Sequence, residues 1–191
     1  MSDTLTAALL FLIETLFNLY LFVLVVRVLL VWIRSDYYNP VTQLVVKMSD
    51  WVVQPMRRVL PNVKNIETST LVLMFLIEII KFYLSFTISY GMPGLLGVVI
   101  LSIGDMIYLF VQTFMYAIIL QAILSLIQPN SPVSFILYRI TAPLLQPISR
   151  MMPKVGYIDL SPIPAIIILQ LIKIMMINPI MQVGQSFALS Y

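Results

Sequence analysis

The chain has 191 residues, 61% of them hydrophobic and 10% charged, with a mean hydropathy of +1.01; this excludes an ordinary soluble domain and predicts a polytopic membrane protein. It contains no Cys and no His, which removes thiolate nucleophiles, disulfides, Cys/His zinc sites and imidazole acid–base chemistry, so no enzyme, cofactor or bound metal is expected. The pI near 9.2 reflects Lys and Arg that orient a membrane protein and does not argue for nucleic acid as a partner.

The first four residues, Met1-Ser2-Asp3-Thr4, lack the positive start of a secretory signal, and no small-residue cleavage site follows. The first apolar segment is therefore expected to be retained. It covers residues 5–33, carries Glu14 and Arg27, and is long enough to cross a bilayer with tilt or overhang. Arg27 is expected to snorkel towards one surface.

The loop over 34–66 carries Arg34, Lys47, Arg57, Arg58 and Lys64. Within it Val41, Leu44, Val45, Met48, Trp51, Val52, Met56 and Val59 recur at steps of three and four, with Gln43, Lys47, Asp50, Gln54, Arg57 and Arg58 opposite. A basic amphipathic helix over 41–60, with Trp51 on it, suits an anionic headgroup layer. Pro55 removes a backbone donor in mid-segment, so a bend or break is expected there, with Arg58 just beyond it and the chain turning at Pro61.

The second crossing, 71–90, carries Glu78 and Lys81, and a Gly/Pro turn at 91–94 leads into a third, 95–127, interrupted by Gly104-Asp105. The loop 128–160 repeats the stripe at Val133, Ile136, Leu137, Ile140, Leu144, Ile148 and Met151, opposite Arg139, Gln146, Ser149 and Arg150. Tyr138 accompanies it, and Pro147 again predicts a bend or break. The fourth crossing starts near Pro162 and runs past Lys173 to Asn178-Pro179, where a kink or an end is expected.

The two loops are copies. Gln54-Pro55-Met56-Arg57-Arg58-Val59-Leu60-Pro61 reads Q-P-x-x-R-x-x-P, and the residues from Gln146 to Pro153 read the same, 92 positions later. That register extends from Pro40/Pro132 through Ile66/Ile158 and Ser69/Ser161 to Lys81/Lys173, with Lys47/Arg139, Ser49/Thr141 and Glu67/Asp159 as conservative pairs. This is the signature of an internal duplication. The expected fold is an all-α integral membrane protein with four transmembrane helices in two tandem parallel repeats, 1–93 and 94–191. Each repeat is a transmembrane helix, an amphipathic interfacial helix (41–60 or 133–152) and a second transmembrane helix. Two crossings separate equivalent points, so the repeats share one orientation. Lys and Arg fill both long loops and are absent from the N-terminal tail, the 88–97 turn and the tail after Asn178. The loops are therefore expected to be cytoplasmic and both termini to face outward.

The doubled unit of Asn/Ser-Pro, Q-P-x-x-R-x-x-P and then Ile66-Glu67-Thr68-Ser69 or Ile158-Asp159-Leu160-Ser161 resembles the YggT/YlmG family, small integral membrane proteins of bacteria and plastids. The resemblance covers essentially the whole chain. Gly156-Tyr157-Ile158-Asp159-Leu160-Ser161-Pro162 is similar to the family's G-x-I-D-x-S-P signature, while the first copy has Lys64 and Thr70 in place of its Gly and Pro. The proteobacterial two-repeat form is the better match. The resemblance implies a bacterial inner-membrane protein linked to osmotic-stress tolerance and ion homeostasis. It also brings in relatives tied to cell division, plastid nucleoids and haem attachment, and it implies no single molecular activity.

Two groups of candidate residues follow. Arg57, Arg58, Arg150, Lys47, Arg139, Gln54 and Gln146 surround turns shaped by Pro40, Pro55, Pro61, Pro132, Pro147 and Pro153, with Asp159 and Ser161 leading into the last crossing. They either satisfy backbone groups freed at those turns or present a paired docking site for anionic lipid headgroups or a membrane-protein partner. Glu14, Glu78, Lys81, Asp105 and Lys173 lie within crossings, where an unpaired charge costs about 2.5–3.5 kcal/mol, so each lysine is expected to have a carboxylate or carbonyl partner. Glu78 and Lys81 are spaced to meet on one helix face. These charges fix helix register or line an ion or proton path. The chain is accordingly read as a scaffold or regulator or, alternatively, as an ion or osmolyte channel or transporter; a homo-oligomer suits both. Charges sealed in pairs favour the first and charges around a cavity favour the second.

Overall fold

A computed structural model of the chain describes residues 2–60, 67–151 and 159–190. Seven helices lie within them: α1 (Ser2–Trp32), α2 (Pro40–Val59), α3 (Thr68–Ser89), α4 (Leu95–Ile127), α5 (Pro132–Met151), α6 (Pro162–Ile172) and α7 (Asn178–Ala188), with no strand among the described residues. A single π turn, Lys173–Ile177, joins α6 to α7. Four stretches, Thr4–Trp32, Thr68–Ser89, Leu95–Ile127 and Pro162–Ala188, are long and apolar enough to cross a membrane.

Local chemistry sets the ends of these elements. Arg34 closes α1 in the left-handed conformation (φ 50°), with Ser35 N–H bonding Leu30 O at 2.9 Å and Arg34 N–H bonding Val31 O at 3.0 Å. This is the closing turn in which glycine is usual. Asn39 caps α2 by accepting from Val41 N–H at 3.0 Å, and Pro40 and Pro132 are the first residues of α2 and α5. The Asn39 amide also donates to Pro132 O at 3.2 Å, which sets the beginnings of α2 and α5 side by side.

Three expectations are corrected. Neither Pro55 nor Pro147 breaks its segment: α2 and α5 each run through, and α5 also runs through Pro143. The last crossing does not end at Asn178-Pro179. The π turn widens the helix one turn earlier, with Asn178 N–H bonding Lys173 O, which makes room for a proline that lacks a donor. The polar side of α2 is also divided, because Asp50 turns towards the bundle and Thr42 and Ser49 are buried. Pro61, Lys64 and Pro153 lie outside the described residues.

α4 is the hub, touching α1, α3, α5, α6 and α7, while α1 also packs on α2 and α3. The core gathers at the end of the bundle carrying α2 and α5: Leu21, Leu24, Val25 and Leu29 of α1 meet Val45 and Val53 of α2, Leu73 and Met74 of α3, Ala117 of α4 and Ile136 and Ile140 of α5. The opposite half of α1 exposes Leu5, Leu9, Phe11, Leu12 and Leu16, an apolar surface that lipid would cover without cost.

Candidate functional site: two buried charge clusters

Where α1 approaches α2, Arg27 is 1% exposed and fully engaged. Its Nε donates to Glu67 Oε2 (2.9 Å) and its Nη2 to Glu67 Oε1 (3.2 Å), while Nη1 reaches Ser49 Oγ (2.6 Å) and Asp50 Oδ1 (2.7 Å). Arg57, from the last turn of α2, also donates to Glu67 Oε1, at 2.6 Å through Nε. A planar guanidinium with five donors thus ties α1 to α2 and to the residue that opens α3. Arg27 does not snorkel. Burial pushes the Glu67 carboxyl up, but the Arg27 guanidinium, with Arg57, outweighs burial and holds it below the usual glutamate value.

The second cluster lies in the middle of α3. Lys81 Nζ touches Asp105 Oδ2 of α4 (2.5 Å), Glu78 Oε2 one turn back (2.6 Å) and Asn18 Oδ1 of α1 (3.0 Å). Glu78 is completely buried and Lys81 nearly so. Beside them a cavity of about 390 Å³ is bounded by Glu14, Asn18, Lys81, Ser85, Asp105 and Gln185, and it extends to Ser89 and Tyr90 at the far end of α3. The expected pairing of Glu78 with Lys81 is present, and Asp105 joins it rather than standing apart; Glu14 lines the cavity. Lys173 has neutral company: its Nζ donates to Tyr108 Oη and Gln112 Oε1, both at 3.3 Å, and lies 4.5 Å from the Tyr108 ring centre.

Among the basic-loop residues, Lys47, Gln54, Arg58, Gln146 and Arg150 are exposed. Arg139 turns inward: it donates to Ile33 O at the end of α1, where free carbonyls favour a cation, and rests on the Phe135 ring. Asp159 accepts from Ser161 N–H (2.9 Å), and Ser161 is buried at the start of the last crossing. A second cavity, of about 290 Å³, borders the Arg27 network and is lined by Arg27, Arg34, Ser35, Tyr37, Thr42 and Arg57. Sequence reasoning missed the partnership of Arg27 with Asp50 and Glu67; the one signal for it was an acid, Glu67 or Asp159, heading the second crossing of each copy. Among the described residues no cluster of three or more His, Cys, Asp and Glu is placed to hold a metal ion.

The chain is 38% identical over 169 residues to an uncharacterized protein of Haemophilus influenzae, an alignment covering 87% of this chain and 90% of the relative. A Pseudomonas aeruginosa protein, PA0392, is 35% identical over 178 residues (91% and 90%), and YggT of Escherichia coli K12 is 33% identical over 168 residues (85% and 86%). No solved structure matches. The CCB3/YggT family profile matches residues 6–88 and 100–180, which between them hold both charge clusters, and the chain belongs to the CCB3/YggT family.

Proposed function

We propose that the chain is a non-enzymatic scaffold or regulator of the bacterial inner membrane, with both termini periplasmic and α2 and α5 at the cytoplasmic surface. There the two helices engage anionic lipid headgroups and a membrane-protein partner. The observation that carries this reading is the three-sided character of α2. Thr42, Val45, Ser49 and Val53 pack into the bundle, yet Leu44, Met48 and Trp51 stay exposed beside an equally exposed Lys47, Gln54 and Arg58. Packing needs only the first side; an apolar strip next to a basic one suits the boundary between acyl chains and phosphates. α5 follows the same plan, with Ile136, Ile140 and Leu145 inward and Phe135, Tyr138, Gln146 and Arg150 exposed. The cavity beside Arg34 and Arg57 offers room for one headgroup.

A parallel repeat is part of this reading. Asn18 holds Lys81 as Gln112 holds Lys173, and Arg27 binds Ser49 as Thr141 binds Gln121. Asn18/Gln112 and Arg27/Gln121 are each 94 residues apart, and Ser49/Thr141 and Lys81/Lys173 are 92 apart, the difference being the shorter second loop. The link to osmotic-stress tolerance and ion homeostasis is taken from the family resemblance.

The test is lipid retention. The native chain, purified from membranes, is expected to keep phosphatidylglycerol or cardiolipin, and the triple variant Lys47→Ala, Arg58→Ala, Arg150→Ala to lose about half of it or more with an unchanged melting temperature. Equal retention overturns the lipid assignment. The same variant grown under osmotic stress reads the physiological part.

The cavity beside Lys81 favours a second reading, an ion or osmolyte transporter. Against it, Leu21, Leu24, Val25 and Met74 pack without exposed surface between that cavity and the Arg27 network, so a path would need a second conformation. Ion or solute flux in liposomes carrying the purified chain separates the two readings.

A further inference from the structure

Charge around Lys81 does not balance. The Lys81 ammonium hydrogen-bonds to Asp105 and Asn18, and the Glu78 carboxylate lies against it in an ion-pair contact of 2.6 Å. Two carboxylates therefore share one positive charge, at a depth in the bundle where water is largely excluded. Every other charged or titratable group facing this place is acidic or phenolic: Glu14 from α1 and Tyr90 from the end of α3, while α7 contributes Met181 and Gln185. Among the described residues no second cation lines this place to offset the excess. Independently, Glu78 is 0% exposed, and neither of its carboxylate oxygens has a hydrogen-bond partner, although Oε2 lies in ion-pair contact with the ammonium. A buried ionised carboxylate whose oxygens lack hydrogen-bond donors is costly. A protonated carboxyl there removes the surplus charge and lowers the cost of burial.

We propose that Glu78, Lys81 and Asp105 form a proton-binding site, with one exchangeable proton on the Glu78 carboxyl, the Lys81–Asp105 ion pair kept intact beside it, and the cavity bounded by Glu14 and Asn18 as its route to water. Binding adds one H⁺ to the Glu78 carboxylate and takes its charge from −1 to 0. Release returns that H⁺ to water in the cavity, and nothing is oxidised or reduced. Lys81 serves as the fixed counter-ion of whichever carboxylate is ionised. The second half of the chain supplies an internal comparison. The residue 92 positions after Glu78 is Gln170, and among the described residues Lys173 is held by the neutral Tyr108 and Gln112, so the lysine equivalent to Lys81 stands without paired acids. The site holds under either reading of the overall function.

Infrared difference spectroscopy on the full chain in lipid nanodiscs tests this directly. At neutral pH the native chain is expected to show the C=O band of a buried protonated carboxyl, shifted in D₂O and bleached reversibly as the pH is raised. Glu78→Gln keeps the neutral shape, so it should remove the band and leave the melting temperature unchanged. Asp105→Asn removes the competing acid, so Glu78 should ionise against Lys81 and the band should again vanish from a folded protein. Exchanging K⁺ for Na⁺ at constant pH and ionic strength should leave the native band in place. No such band in the native chain, or one that survives Glu78→Gln, overturns the proposal. A band surviving Asp105→Asn overturns the shared-proton arrangement, and a Na⁺-specific bleach assigns the site to an alkali cation instead.

Discussion

Arg27 ties three parts of the chain together: α1, α2 and the residue that opens α3. Removing it leaves Glu67 buried without its bidentate partner and leaves Asp50 and Ser49 without their inward contact. Breaking a buried pair from one side costs about 3–5 kcal/mol, so Arg27→Met should sharply lower the melting temperature in detergent, and Arg27→Met with Glu67→Gln should recover part of the loss. Glu67 adds a pH dependence of known sign. Its folded carboxyl titrates below its ordinary value, so its contribution is complete above that value and is lost as the pH falls through the lowered one. Melting temperature should therefore drop on acidification below about pH 4, and the drop should be smaller in Glu67→Gln. These partnerships were only partly legible. Glu78 and Lys81 meet because they lie one turn apart on one helix, which spacing states outright. The contacts of Arg27 with Glu67 and of Lys81 with Asp105 and Asn18 join different helices, and one-dimensional periodicity holds no information about which helices touch.

Helices were the most legible level, since apolar length and a three-to-four period identify them without tertiary knowledge. What the pattern could not assign was the direction of each face. In α2 the same turn offers Val45 and Ser49 inward and Leu44 and Met48 outward, and the inward choice brings Ser49 and Asp50 to Arg27. Nor could it tell a proline that breaks a helix from one that the helix absorbs, as at Pro55, Pro147 and the π turn ahead of Pro179. The contact between α4 and α7 gives a graded prediction. A Cβ at Gly97 would lie 2.1 Å from the Ala188 backbone nitrogen, which cannot move aside. At Gly184 it would meet Leu101 Cγ at 2.8 Å and that residue's backbone nitrogen at 3.1 Å, and at Gly104 the flexible Met181 sulfur at 2.8 Å. Alanine should then be most destabilising at Gly97, by about 1–3 kcal/mol or more, intermediate at Gly184 and mildest at Gly104. Thermal melts of the three variants in one detergent check the order, and a mild Gly97→Ala would mean that the helices are not packed this closely.

For the molecule as a whole, α4 as hub explains why two halves with one shared pattern form a single body: α3 and α1 of the first half pack on one helix of the second. The proposed duplication rests on Pro, Gln and Arg recurring at fixed spacing, a pattern that relates distant segments to each other and holds no signal for the hub, which is a matter of neighbours in space. Direction across the bilayer is the property that the charge pattern predicts most strongly. Four crossings would put the connection between α1 and α2 on one side and both ends of the chain on the other, and outside the four apolar stretches Lys and Arg fall in the two long loops. The absence of Cys makes a single introduced thiol an unambiguous reporter. Tyr38, between α1 and α2, is 91% exposed, and Ser190 follows α7. Tyr38→Cys should react with a membrane-impermeant maleimide only in inverted inner-membrane vesicles, and Ser190→Cys only in spheroplasts. The opposite result inverts the protein and moves the cavity beside Lys81 to face the cytoplasm, so its proton would exchange with the cell interior. Reaction of both thiols from the same side contradicts an odd number of crossings between them, and with it the assignment of α3, α4 and the α6–α7 unit as three separate spans.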